Sequence, residues 1–199
     1  MRWLVPLSLI LLVMGCAAPL PVPPADAEAA WQSRQQHLNQ MNDWRLNGRL
    51  AITRGAEAWH LKVNWRQKQD DYEIFLSGPF GAGQVKLVGN HDGVVLRDSE
   101  RHAYYAMEPE TLLYEHTGVM MPVTGLRYWI LGLPDPAKNH TSQTRLDAYG
   151  RLAELQQRDW TVQFPDYVAV KQYQLPERLL IQGEDIEVRL VVDDWQIFL

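Results

Sequence analysis

Cysteine is nearly absent from this chain: its 199 residues contain one, Cys16. That excludes a disulfide framework and a cysteine-based metal site. Positive charge is also in short supply. Nineteen Lys and Arg stand against 24 Asp and Glu, a formal net charge of −5. Such a balance leaves no electrostatic footprint for nucleic acid and no polybasic surface for an anionic bilayer. The chain has no Gly-x-Ser-x-Gly elbow and no His-Glu-x-x-His pair. Its six histidines, His37, His60, His91, His102, His116 and His140, show no metal-ligand spacing and read as surface residues. The adjacent acids Asp193 and Asp194 read as a turn, because neighbouring side chains point apart and make a poor acid–base dyad. No catalytic residue, metal or other cofactor is expected. Phe is scarce, four against eight Trp and eight Tyr. Large rings with a polar handle suit half-wet surfaces and cavity walls.

The long apolar run is confined to the N-terminus. Arg2 is followed by the almost wholly apolar stretch Trp3 to Val13, then Met14-Gly15 and Cys16. A spanning helix needs about 20 apolar residues, and Pro6 and Ser8 interrupt this run. The order reads as a secretory signal over 1–15, with a cysteine where cleavage should fall. In a bacterial lipobox the cysteine receives an S-diacylglycerol group, and the new amino terminus is acylated. Cys16 is the expected lipidation site, with a plain cleaved signal as the alternative. Ala17 follows it, where lipoproteins held in the inner membrane often carry Asp, so the expected address is the outer membrane.

Residues 16–30 read as a lipidated Pro/Ala-rich tether, with Pro19, Pro21, Pro23 and Pro24. Residues 31–199 are enough for one domain with a real core. Helical spacing of Trp31, Gln35, Leu38 and Met41 predicts a helix over 31–43. From Trp44 the period becomes two. Leu46, Leu50 and Ile52, then Trp59, Leu61, Val63 and Trp65, then Tyr72, Ile74 and Leu76, then Val85 and Leu87 alternate with polar residues. Helices are predicted over 109–116, starting at Pro109 and stopping at Gly118, and over 124–131, capped by Thr124. Strands return over 151–156, 159–164, 178–181 and 186–192, with a last one beyond Asp194. The fold class is mainly β with helices: an incomplete antiparallel β-barrel of roughly ten or eleven strands, with helices across its mouth. A β-sandwich is the alternative.

Gly78-Pro79-Phe80-Gly81-Ala82-Gly83 is glycine-rich, yet strand residues follow it rather than the helix a phosphate loop needs. It reads as a hairpin tip with one large apolar residue. Phe80 either folds back onto the core or meets a lipid surface. Burying a Phe is worth roughly 1.5–3 kcal/mol, too little for an anchor and suited to transient contact.

Three segments carry a family resemblance: Trp44-Arg45-Leu46-Asn47-Gly48-Arg49-Leu50, Ser77-Gly78-Pro79-Phe80-Gly81, and Thr124-Gly125-Leu126-Arg127-Tyr128-Trp129-Ile130-Leu131-Gly132-Leu133-Pro134. In order and spacing they resemble the LolB family of outer-membrane lipoprotein receptors of Gram-negative bacteria. The resemblance implies a helical lid over an apolar cavity and no enzymatic activity. It implies a monomer facing the periplasm that takes lipoprotein cargo from the soluble carrier LolA and places it in the inner leaflet of the outer membrane. Gly78, Pro79, Phe80 and Gly81 fall where the family carries its membrane-inserting loop, with Phe in place of the usual Leu. Leu50, Trp59, Leu61, Val63, Trp65, Trp129 and Leu133 are the candidates to line the acyl-chain cavity, although for any single Trp ordinary core is the stronger reading. The alternative function is a structural or scaffolding lipoprotein with a packed interior and no transfer activity.

Overall fold

Period-two alternation becomes a single antiparallel sheet in the computed structural model, which describes residues 22–81, 83–137 and 142–198. Cys16 and the apolar run before it lie outside the described residues. Ahead of the sheet comes α1 (Ala27–Leu38), capped by Asp26, whose carboxylate accepts from the Glu28 and Ala29 amides. Four residues expected in the tether, Ala27 to Ala30, are therefore helical. The helix also ends short of Asp43, which instead opens the first strand.

The first half of the sheet is β1 (Asp43–Arg54), β2 (Glu57–Lys68), β3 (Asp71–Ser77), β4 (Val85–Asn90), β5 (Gly93–Arg97) and β6 (Ala103–Ala106). The second half is β7 (Ser142–Leu146), β8 (Leu152–Gln157), β9 (Trp160–Val170), β10 (Tyr173–Gln182) and β11 (Ile186–Ile197). The spatial order is β6-β5-β4-β3-β2-β1-β11-β10-β9-β8-β7. Two meanders thus meet where the first strand pairs with the last, and β6 and β7 remain unpaired edges. This is the incomplete barrel expected, in one sheet rather than the two of a sandwich.

Two helices separate the halves: α2 (Pro109–Thr117) and α3 (Val123–Trp129). Gly118 ends α2 in the left-handed conformation, φ 68°, which costs a glycine little. In α3, Pro122 rather than Thr124 holds the cap position, and the helix stops at Trp129, two residues before the predicted end. α2 packs on β5, β6 and α3. Arg127 fixes α3 to the β2–β3 turn, donating to Asp70 at 3.2 Å and to the Gln69 carbonyl at 2.6 Å.

Asp193 and Asp194 do not make the expected turn. β11 runs unbroken past them, and the register against β1 slips between Asn47 and Gly48, leaving Asp193 as the extra residue of a bulge. Arg49 holds that bulge with Nη2 2.6 Å from Asp193 Oδ1. Opposite it, a Cβ on Gly48 would lie 2.4 Å from the Val191 carbonyl oxygen, so only glycine lets the two backbones approach this closely.

The inner face of the sheet carries the core. Trp44 is flanked by Trp65 and Trp195, ring centroids 5.6 and 5.7 Å away. The indole N–H of Trp65 is satisfied by buried Gln67 at 3.1 Å, and the Gln67 amide donates to the Gln69 and Asp71 carbonyls.

Candidate functional site

The core is not filled throughout. Between the inner face and α2 lies a cavity of about 590 Å³. The sheet contributes Ile52 from β1, Trp59 and Leu61 from β2, Leu76 from β3 and Val85 from β4. The roof is Leu113 of α2 with Val119 and Met121 of the segment leading to α3. No Asp, Glu, Lys or Arg is among the described residues that line it, and its one imidazole, exposed His60, alternates on β2 with the inward-facing Trp59 and Leu61. Thr117 does line it, but its hydroxyl donates to the Leu113 carbonyl at 2.5 Å and accepts from the Val119 amide at 3.2 Å. A lining of this kind selects an uncharged, apolar ligand.

Strand register explains the wall. Ile52 pairs with Trp59, Leu50 with Leu61 and Val63 with Leu76, so these side chains share the inner face. Arg54 ends β1 beside them. Its guanidinium donates to the Gly118 carbonyl and forms an ion pair with Glu57 at 3.2 Å, with its carbon 5.8 Å from the Trp59 ring centroid. A cation at a helix C-terminus complements the helix dipole. Arg54 thereby fastens the end of α2 to the β1–β2 hairpin.

The β3–β4 loop forms part of the same cavity. Gly78, Pro79 and Gly83 line its rim, and Phe80 between them is fully exposed. Pro79–Gly81 makes one 3₁₀ turn, with the Gly81 amide donating to the Gly78 carbonyl at 3.1 Å. Phe80 sits at φ 57°, ψ 20°, a left-handed conformation that costs a non-glycine residue about 1–2 kcal/mol. The ring points into water, where it buries nothing to offset that cost.

The other positions singled out from sequence fall in different places. Trp59 and Leu61 line the cavity. Leu50, Val63 and Trp65 lie deeper, around a narrow seam of about 30 Å³ beneath α3. Trp129 lies outside both. Its indole N–H donates to buried Gln157 at 2.9 Å, in a separate small cleft with Asp135 and Trp160. The pull of that buried amide directs the ring away from the cavity. Leu133 is buried in the continuous core. Ile52, Leu76, Val85, Leu113, Val119 and Met121 were missed as cavity residues. Ile52, Leu76 and Val85 already stood on the inner-face alternation, while the face of α2 that looks inward has no marker in so short a helix.

Among the described residues, no group of three His, Cys, Asp or Glu could hold a metal ion. None of their helices is long and apolar enough to cross a membrane.

Comparison with known proteins follows the same line. The family model described as "Outer membrane lipoprotein LolB" matches residues 42–195. The outer-membrane lipoprotein LolB of Nitrosococcus oceani is 40% identical over 203 residues, covering 99% of this chain and 100% of the relative. That of Ectopseudomonas mendocina is 39% identical over 199 residues, covering 98% and 97%. Among solved structures, a LolA superfamily protein from Nitrosomonas europaea superposes with a TM-score of 0.55, covering 89% of this chain and 94% of its own, at 6% identity. A DUF1329 family protein from Desulfovibrio piger gives 0.53 at 7% identity, covering 86% and 92%. At such identities the likeness is one of fold.

Proposed function

Since the chain belongs to the LolB family of outer-membrane lipoproteins, we propose that it is the outer-membrane receptor that takes lipoproteins from the periplasmic carrier LolA and releases them into the inner leaflet. Residues 1–15 are the removed signal, and Cys16 carries the lipid that holds the protein at the membrane. The segment up to Asp26 is the tether and the remainder is the working body, a monomer. The cavity under α2 takes up acyl chain from the cargo, and Phe80 dips into the bilayer. The role is one of binding and handover, with no catalytic step.

One observation carries this reading: the loop that presents Phe80 is itself the rim of the apolar cavity. A chain leaving between Gly78, Pro79 and Gly83 passes directly beside the exposed ring. If Phe80 lies in lipid, the exit is already at the bilayer surface, and the chain never crosses water. Each methylene kept out of water is worth about 0.8 kcal/mol, so a wet path would impose a prohibitive barrier on a long chain. Handover then runs downhill if the cavity holds the chain better than the carrier does and the bilayer holds it better still. The open cavity also speaks against the packed scaffold, which has no use for it.

The test separates capture from delivery. Leu61→Glu places a charge in the cavity wall and blocks capture of cargo from the carrier. Phe80→Glu leaves capture intact and blocks transfer to liposomes. Delivery by Phe80→Glu at the unmodified rate contradicts the role given to the loop.

A further inference from the structure

We propose that the cavity seats one acyl chain at a time and that Leu76, Leu113 and Met121 close its inner end, setting the length of chain that binds best. This rests on the reading of the cavity as an acyl-chain site.

Capacity comes first. A methylene fills about the space of a water molecule in the liquid, ~30 Å³, so 590 Å³ holds roughly twenty such groups. That is one long chain. A cargo cysteine bearing an S-diacylglycerol and an N-acyl group presents three. With α2 in place, the other two stay outside and are covered by the carrier or by the bilayer.

The inner end follows from what the two spaces share. The cavity and the deep seam have Leu76, Leu113 and Met121 in common. All three are buried, at 8%, 5% and 6% exposure, and they come from β3, from α2 and from the link to α3. Beyond them the seam holds only about 30 Å³, room for about one methylene. A chain entering at the Phe80 rim therefore runs out of space at these side chains. Met121 is the adjustable member, unbranched and free to change rotamer.

The experiment measures binding of saturated fatty acids of about twelve to about twenty-four carbons to the mature chain carrying Cys16→Ala, by displacement of a fluorescent fatty acid. Affinity is expected to rise up to about fourfold per added methylene, then flatten near about twenty carbons, with one fatty acid per protein. Met121→Ala joins cavity to seam and moves the break to longer chains. Leu113→Phe fills the inner end and moves it to shorter ones, a shift in the opposite direction that loss of fold does not produce. Two or more chains per protein, or a break that stays in place in both variants, overturns the proposal while leaving the acyl-chain reading intact. Failure of the unmodified cavity to bind any chain overturns both.

Discussion

The guanidinium of Arg54, at the end of β1, donates a hydrogen bond to the carbonyl of Gly118, the residue that terminates α2. One side chain thus connects the wall of the cavity to its roof. Arg54→Met keeps the aliphatic stem and removes the donor. A hydrogen bond from a charged group at a part-buried helix end is worth about 1–2 kcal/mol. The variant is expected to lose about that much stability in urea, to exchange its α2 amides faster, and to release a bound acyl chain sooner. Unchanged exchange in α2 counts against the fastening role.

Gly48→Ala tests the closest backbone approach in the sheet. The added Cβ falls 2.4 Å from the Val191 carbonyl oxygen, an atom with no freedom to move aside. β1 and β11, the seam between the two meanders, have to part. Overpacking of this kind costs about 1–3 kcal/mol, to be read as a lower urea midpoint with an unchanged slope.

Alkaline stability tests the packing around Tyr72. Burial, and secondarily the charge of Glu110, raise its pKa from 10.0 to about 12. Below about pH 10 folded and unfolded chains both keep this proton. Between about 10 and about 12 the unfolded chain loses it first, so stability falls as pH rises through that window. Tyr167 shifts in the same direction, through burial that outweighs the opposing charges of Arg34 and Arg151. Tyr72→Phe is expected to make the decline shallower, as followed by urea midpoints across that window.

Phe80→Gly separates stability from function. The left-handed backbone at φ 57° suits glycine, and the exposed ring contributes no burial. Relief of strain is expected to raise stability by up to about 1 kcal/mol in thermal unfolding, while delivery to liposomes collapses. A stabilised variant that still delivers removes the functional reason for an exposed, strained Phe.

The long strands and the odd loop were legible because their signals are local. Leu46, Leu50 and Ile52 alternate cleanly, and Phe80 stands alone among glycines. What escaped notice depends on partners distant in sequence. β7 is almost wholly exposed, so Ser142 to Leu146 carry no apolar alternation to read. β5 and β6 are short and are joined by a turn whose Arg101 takes a positive φ of 67° without a glycine to mark it. Asp193 and Asp194 have the composition of a turn, and only Gly48 across the ladder makes them a bulge. Trp129 stood among the cavity candidates because its ring is a wide flat apolar surface. Buried Gln157, 28 residues on, decides its direction. Cavity and core have the same composition, so the boundary between them follows from how far α2 stands off the sheet.

The central claim is that cargo chains occupy the space under α2 and leave past Phe80. The most direct measurement loads the protein with a lipoprotein whose acyl chain carries a photo-crosslinker, irradiates it, and maps the adducts. The account predicts adducts on Trp59, Leu61, Leu113 and Met121 before liposomes are added, and their loss on delivery. Adducts confined to the outer face of the sheet, at Asn64 and Phe75, contradict it.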